Sequence, residues 1–286
     1  MRAQISYDVR FEWGPAGAAA LAPSSSCLAV VDVLSFSTSV TVAVEAGTRV
    51  YPCAWPAGPA AESGAEPAAE FAELAAEFAR SHRAELAVGR RAVSAERPWS
   101  LSPAALRRAP FVPRLVLPSP NGSAICAAAA GGAGGGAGAG VGVGLGVGVG
   151  AVTVIAGCLR NAAAVGRFLS GSPGPVTVVA AGERWPDGSL RPALEDLLGA
   201  GSILAALRDA AAARDADART FSPEAEAARA CFEATADVAA AVSGCASGRE
   251  LNEGGFGEDV AIAAEIGACL VVPVLTGGAF TAATGQ

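Results

Sequence analysis

The chain has 286 residues, of which 52% are hydrophobic, enough to bury the core of one large α/β domain or two small ones. Its formal net charge is −7, and its 20 basic residues are all arginine. An acidic chain without lysine clusters argues against nucleic acid or an anionic membrane as the main partner, although single arginines can still hold small anions. Its seven cysteines are scattered, and the sequence MRAQISYDVR has no apolar signal-peptide core. We therefore expect free thiols and a cytoplasmic location, without a disulfide scaffold or a zinc site.

The stretch Cys27–Val44 is the first candidate for a functional site. Four apolar residues precede Asp32, and a cluster of hydroxyls follows it: Ser35, Ser37, Thr38, Ser39 and Thr41. This pattern predicts a buried strand that ends at Asp32, then a turn, then a helix. A buried carboxylate needs a cation or hydrogen-bond donors, and a helix N-terminus attracts anions. Together they suit a metal ion and a phosphate group.

The next segments favour structure over chemistry. Residues 66–80 show the apolar periodicity of an amphipathic helix that packs against the core. The chain's single histidine, His82, follows that helix in a polar context, so catalysis by a histidine-based triad and a multi-histidine zinc site are disfavoured. Residues 89–113 are rich in Arg, Ser and Pro and are predicted to form a long surface loop.

A second strand–turn–helix pattern begins at residue 114. An apolar strand over 114–117 leads into Asn121, Gly122 and Ser123, and an apolar helix follows over 124–130. Such a turn either cradles an anion with its backbone N–H groups or simply caps the helix, and its recurrence after the Asp32 segment favours the anion site. The following Gly-rich stretch, at about 131–150, is a poor helix former. It is predicted to be a low-complexity insertion and no membrane span.

Two further strands end in charged side chains. The strand over 152–156 is followed by Arg160 and Asn161, and the strand over 176–180 is followed by Glu183. An arginine at this point either binds an anion through its guanidinium fork or pairs with a nearby acid. Asp196, beside Glu195 in the first turn of a helix, either complements the helix dipole or faces the cleft as a metal ligand.

Strands and helices alternate through most of the chain. A helix is predicted from Pro223 to about Ser243, another over 260–266, and a last strand over 269–275. The alternation predicts an α/β fold of three layers, α/β/α, with a mostly parallel or mixed sheet. Ligands bind such sheets beyond the C-terminal strand ends, where four candidates fall: Asp32, Asn121, Arg160 and Glu183.

Five motifs in order resemble one family. They are VVDVLSFST, LPSPNGSA, AGCLRNAAAV, VVAAGER with EDLLGAG, and SGRELNEGGFGEDVAIAAEIGACLVVPVL. They are similar to those of the 2-phosphosulfolactate phosphatases, the ComB-like family. The resemblance covers most of residues 1–276 and implies a single ComB-like α/β domain over 1–286, interrupted by the Gly-rich insertion.

The resemblance implies a magnesium-dependent phosphatase that converts (2R)-2-phospho-3-sulfolactate to 3-sulfolactate and phosphate, a step of coenzyme M biosynthesis. The implied catalytic residues are Asp32, Glu183 and Arg160, and the implied Mg²⁺ ligands are Asp32, Glu183 and Asp196. The substrate, a small phosphorylated anion, would contact the following residues: Ser35, Ser37, Thr38, Asn121, Gly122, Ser123, Arg160 and Asn161. Neither nucleic acid nor a membrane is expected as a partner, and homo-oligomerisation is left open.

One position departs from the family's pattern. Many members have an arginine after Asp-Val-Leu, where this chain has Ser35. Two alternatives follow: a phosphatase for a different phospho-hydroxy acid, and a non-catalytic module that binds a phosphorylated metabolite. For a phosphatase, attack by a metal-activated water is favoured over an aspartyl-phosphate on Asp32, because no second aspartate stands two residues after Asp32.

Overall fold

The fold is given by a computed structural model, which describes residues 4–54, 69–131, 152–213 and 219–284. The predicted Gly-rich insertion lies outside these residues, apart from its first glycine, as do residues 66–68 of the predicted amphipathic helix. The prediction of one domain over residues 1–286 stays a prediction.

The described strands are short and mostly buried. They are β1 (Val9–Trp13), β2 (Cys27–Val31), β3 (Arg49–Ala54), β4 (Glu85–Leu86), β5 (Arg114–Ser119), β6 (Thr153–Gly157), β7 (Val176–Ala180), β8 (Glu183–Arg184), β9 (Leu190–Arg191), β10 (Pro273–Thr276) and β11 (Ala279–Ala282).

The described helices pack on this framework. They are α1 (Gly14–Leu21), α2 (Phe36–Glu45), α3 (Ala69–His82), α4 (Pro103–Arg108), α5 (Gly122–Gly131), α6 (Ala162–Ser170), α7 (Leu194–Ala212), α8 (Pro223–Ala234), α9 (Val238–Gly244), α10 (Ala246–Glu253) and α11 (Gly257–Ala263). Within the described ranges, none of them combines the length and the apolar character needed to cross a bilayer.

Nine strands form one mixed, mostly parallel sheet in the order β1-β7-β2-β6-β10-β11-β3-β5-β4. Strands β1, β7, β2 and β6 pair in parallel, as do β3, β5 and β4. The antiparallel hairpin β10–β11 joins the two groups. The predicted α/β class with a mostly parallel or mixed sheet is confirmed.

The alternation of side chains along β2 explains why helices cover both faces of the sheet. Cys27, Ala29 and Val31 point into one core cluster with residues of α6, α7 and α8. Leu28 and Val30 point into a second cluster with residues of α2 and α5. All five side chains are buried, so β2 is a central strand with an apolar environment on each side.

The sheet is strongly curved. Four strands separate β2 from β5 in the sheet order, and in a flat sheet that spacing would place them about 24 Å apart. However, Gly122, just beyond β5, donates its N–H to Asp32, just beyond β2, at 3.1 Å. The core cluster that includes α2 and α5 contains residues of both strands. Curvature around these helices therefore brings the two strand ends together.

Three of the predicted elements are wrong in detail. The predicted loop over 89–113 contains α4, which Ser102 caps by accepting the N–H of Ala105 at 3.1 Å. The helix predicted to reach Ser243 is two helices, because Asp237 starts α9 by accepting the N–H of Ala240 at 2.8 Å. The chain after residue 275, where no further strand was predicted, contains β11. Side-chain caps and a pairing partner distant in sequence decided these cases.

Candidate active site

Asp32 lies between β2 and α2, with 5% of its surface exposed. Its carboxylate accepts the N–H of Gly122 at the start of α5. The turn around it is fixed by Ser37, whose hydroxyl donates to the Val30 carbonyl at 2.8 Å and accepts the Asp32 N–H at 3.1 Å. The chain thus brings a buried carboxylate to the end of a central strand, as predicted.

Asp196 joins two of the predicted site segments. It lies in the first turn of α7 and is 4% exposed. One carboxylate oxygen accepts the N–H of Val33, next to Asp32, at 2.7 Å, and the other accepts the N–H of Gly182, next to Glu183, at 2.8 Å. The prediction that this acid faces back toward the strand ends agrees with these contacts, which hold the three carboxylates in one cluster.

Glu183 is half-buried at the start of β8. Its Oε2 accepts a hydrogen bond from Asn121 Nδ2 at 3.0 Å. Because Gly122, the next residue, bonds Asp32, the turn after β5 contacts both acids at once. The Asn-Gly-Ser turn therefore lies at the carboxylate cluster, and the side chain of Asn121 and the N–H of Gly122 are both engaged by carboxylates.

A fourth acid, Glu195, belongs to the same cluster and was not among the predicted site residues. It is 2% exposed, and the thiol of Cys245 donates to its Oε2 at 3.1 Å. The charge of Glu195 acts to raise the pKa values of Asp32, Glu183 and Asp196, so it lies close to all of them. The signal in the sequence is its position beside Asp196, in a first turn whose acids either complement the helix dipole or face the cleft as metal ligands.

The crowding of these acids changes their protonation. Burial raises the pKa of Asp32 to about 6, against the opposing effect of hydrogen bonds from the N–H groups of Phe36 and Gly122. Burial, followed by the charges of Asp32 and Glu195, raises the pKa of Glu183 to about 7. The same causes hold the pKa of Asp196 well above its usual range. The cluster can therefore exchange protons near neutral pH.

The hydroxyl groups predicted to bind the substrate differ in the hydrogen bonds that they already form within the protein. Ser37 holds the Asp32 turn, and Thr38 donates to the Val33 carbonyl at 2.6 Å. Ser123 is fully buried, and its hydroxyl faces the Leu117 carbonyl at 3.5 Å. Ser35 is half-buried at the N-terminus of α2, and its side chain forms no capping hydrogen bond. Of these four hydroxyls, that of Ser35 has most freedom to meet a ligand.

Arg160 and Asn161 have contacts that do not include the carboxylate cluster. The guanidinium of Arg160, 2% exposed, pairs with Glu45 at 2.9 Å and with Glu265. Asn161 accepts the N–H of Cys158 at 2.9 Å and donates to two carbonyls, those of Ala156 and Val271. These contacts agree with the alternative in which Arg160 pairs with nearby acids. Substrate binding by Arg160 and Asn161 stays a prediction.

Two other arginines lie at the cluster, and neither was predicted. Arg90 donates to the Leu34 carbonyl at 2.6 Å and pairs with Asp259 at 2.9 Å, and its charge acts to lower the pKa of Asp32. Arg191 lies opposite Glu183 in the β8–β9 pair. The Asp187-Gly188 turn between these strands is a hairpin signal that could have indicated this pairing.

The carboxylates of the cluster are chemically suited to bind magnesium, but within the described ranges they do not form a complete set of metal ligands. Within the described ranges, no group of three or more His, Cys, Asp or Glu side chains is arranged to hold a metal ion. Magnesium, however, is usually held by one or two carboxylates together with water and substrate phosphate. Mutually repelling carboxylates such as Asp32 and Glu183 provide such oxygens, and both oxygens of Asp196 already accept backbone N–H groups.

Residues 147–278 match the family model described as 2-phosphosulpholactate phosphatase. The predicted family resemblance is confirmed over this segment. The match covers slightly under half of the 286 residues and includes Glu183, Glu195 and Asp196. Asp32 and the turn at Asn121 lie before the matched phosphatase segment, and the structure joins them to it through hydrogen bonds. No curated protein matches the chain.

Proposed function

We propose that the chain is a phosphatase that hydrolyses the phosphate ester of a small phosphorylated hydroxy acid. The substrate suggested by the family is (2R)-2-phospho-3-sulfolactate, which would give 3-sulfolactate and phosphate. The observation that supports the proposal best is the cluster of Asp32, Glu183, Glu195 and Asp196, which the fold collects from separate parts of the chain. The phosphatase family match over residues 147–278 supports the same reaction class.

In this proposal Glu183 is the general acid, which donates a proton to the oxygen of the leaving group. Its pKa, about 7, leaves a substantial protonated fraction at neutral pH, as a general acid requires. Its Oε2 accepts from Asn121, whereas Oε1 has no hydrogen-bond partner within the described ranges. A proton on Oε1 would pass to the ester oxygen as the P–O bond breaks. In the same step water would form the new P–O bond, and Asp32 would orient this water or accept its proton.

Magnesium is part of the proposal, with Asp32 as the ligand that we favour, because Glu183 keeps its proton for the leaving group. When bound, the ion would neutralise phosphoryl oxygens and activate water. Because a metal ion binds the deprotonated carboxylates, its binding is linked to pH. We expect MgCl₂ to raise the melting temperature more at pH 7.5 than at pH 5, and the Asp32→Asn variant to lose most of this shift.

Turnover is tested by phosphate release from a panel of phospho-hydroxy acids with MgCl₂. We expect Asp32→Asn and Glu183→Gln to lower kcat by about 10²-fold or more, as removal of a proton-transferring group does. Glu253→Gln, an exposed acid on α10, serves as the matched control and should retain full activity. If the wild-type chain releases no phosphate from any member of the panel, the proposal is wrong.

Two further outcomes are informative. If members of the phospho-hydroxy acid panel raise the melting temperature of the chain but are not hydrolysed, the alternative of a non-catalytic binding module is supported instead. Rapid quenching with a substrate labelled in its phosphate group tests the route of attack. We expect no labelled protein, because water is the proposed nucleophile, whereas label trapped on Asp32 would establish an aspartyl-phosphate.

A further inference from the structure

The β8–β9 hairpin presents an arginine to the carboxylate cluster. In its antiparallel register Glu183 pairs with Arg191, and Arg184 pairs with Leu190. Directly opposed residues share one face, with their Cβ atoms about 5 Å apart, and successive residues alternate between faces. Arg191 therefore lies on the face of Glu183, and Arg184 on the other.

The position of this hairpin relative to the cluster is fixed by backbone contacts. Gly182, which enters the hairpin, donates its N–H to Asp196 at 2.8 Å and has a φ of +67°, which favours glycine. A Cβ at this glycine would lie 2.9 Å from the Arg191 carbonyl oxygen. At the other end, the Trp185 N–H donates to the Ser189 carbonyl at 2.9 Å. The hairpin is thus held where Arg191 faces the acids.

The guanidinium of Arg191 is oriented by neutral groups. Its Nη2 donates to the hydroxyl of Ser247 at 3.1 Å, and its guanidinium carbon lies 5.8 Å from the centre of the Trp185 ring. In the part of the chain that the structure describes, it forms no ion pair with a carboxylate, whereas Arg90 and Arg160 do. Arg191 is half-buried and can still be reached by a ligand.

We propose that Arg191 binds the second anionic group of the substrate, the carboxylate or sulfonate beside the phosphate ester, and that Ser247 positions its guanidinium. The inference rests on the proposed phosphatase function and names a residue that sets its specificity. Clustered carboxylates repel an anionic substrate, and a fixed guanidinium fork offers both charge and two parallel donors for an oxyanion. Arg160, in contrast, already has two glutamate partners.

The kinetic test compares Arg191→Gln and Arg191→Lys with Arg184→Gln, which removes the same charge from the opposite face of the same hairpin. With 2-phospholactate or 2-phospho-3-sulfolactate, we expect Arg191→Gln to raise KM at least about tenfold, a loss typical of a charge-assisted contact. Arg191→Lys should recover part of this loss. With p-nitrophenyl phosphate, which has no second anionic group, neither change should alter KM. Arg184→Gln should behave as wild type with both kinds of substrate.

A binding measurement separates this inference from the phosphatase proposal, because it needs no turnover. Calorimetric titration should show weaker binding of 3-sulfolactate to Arg191→Gln than to the wild type. Lactate, which has a carboxylate but no sulfonate, should bind more weakly as well if Arg191 contacts the carboxylate, and equally well if it contacts the sulfonate. Ser247→Ala should weaken binding less, and Ser247→Thr should restore it. Equal affinities of wild type and Arg191→Gln for 3-sulfolactate, or no binding of it by the wild type, would overturn the inference whether or not phosphate is released. If Arg191→Gln does not fold, Arg191→Lys is the deciding variant.

Discussion

At the scale of single residues, Asp32 lies where burial makes its negative charge energetically unfavourable. The carboxylate is buried at the end of a central strand, and the described groups that meet it include N–H donors and other acids. Such a position is retained in proteins when a ligand or a reaction uses the perturbed pKa. The arrangement therefore agrees better with a site than with a purely structural role.

The raised pKa of Asp32 predicts the pH dependence of stability. Between its ordinary value of 3.8 and about 6, the folded state binds more protons than the unfolded state, so the free energy of unfolding falls as pH rises through this range. The loss for Asp32 is of the order of 2 to 3 kcal/mol. We expect Asp32→Asn to gain stability relative to wild type from pH 4 to pH 7.5, measured by urea unfolding in EDTA.

Glu253→Gln is again the control, since the exposed Glu253 should give a pH profile parallel to that of wild type. A difference between Asp32→Asn and wild type that does not change with pH would show that the buried carboxylate titrates normally.

At the scale of elements, the close approach of α7 to β2 sets the position of Asp196. A Cβ at Gly199 would lie 2.5 Å from Val33 Cγ2 and 2.9 Å from Val31 Cγ1. Both valines are fully buried, so their methyl groups have no free space to enter. The glycine therefore permits the contact through which Asp196 reaches the Val33 N–H.

We predict that Gly199→Ala lowers the free energy of unfolding by about 1 to 3 kcal/mol, the usual cost of overpacking. It should also reduce the proposed phosphatase activity, because a shift of α7 weakens the contact of Asp196 with the Val33 N–H. The control is Gly244→Ala at the end of α9, where a Cβ has nothing within 4 Å. Urea unfolding measures the first effect. A stability of Gly199→Ala equal to that of the control would contradict the tight packing.

At the scale of the whole molecule, Arg160 joins parts of the chain that are distant in sequence. It links Glu45, the last residue of α2, with Glu265, just after α11. Its backbone carbonyl also accepts the N–H of Cys269 at 2.9 Å. The buried guanidinium thus ties the first half of the chain to its C-terminal segment.

We predict that Arg160→Gln lowers the free energy of unfolding by about 1 to 3 kcal/mol and leaves KM unchanged. The loss is smaller than for a fully buried pair, because Glu45 and Glu265 are partly exposed and can be hydrated. Arg107→Gln is the matched control: Arg107 also pairs with Glu265 but is 37% exposed, so its loss should stay below about 1 kcal/mol.

An increase in KM of Arg160→Gln without a loss of stability would favour the prediction from sequence that Arg160 binds the substrate. Thermal or urea unfolding and steady-state kinetics on the same preparations distinguish the two roles.

The sequence by itself determined the α/β class and the buried strands β2, β5, β6 and β7, because apolar runs and glycine or proline boundaries are local signals. It also placed Asp32, Glu183 and Asp196 as acids at strand exits and a helix start. The groups that each charged side chain contacts in the folded protein could not be inferred from its neighbours in the sequence. Arg160 follows the short strand β6 and Arg191 ends the short strand β9, but one meets two glutamates and the other faces the carboxylate cluster.

For Asp32, the tertiary structure decided the neighbours through the curvature of the sheet. That curvature brings the turn after β5 to Asp32 across four intervening strands, and no periodicity in the sequence encodes it. The same packing buries Glu195 beside the other acids. The sequence thus determined which carboxylates end the strands, and long-range packing decided which of them share an environment, because charge interactions depend on distance in space.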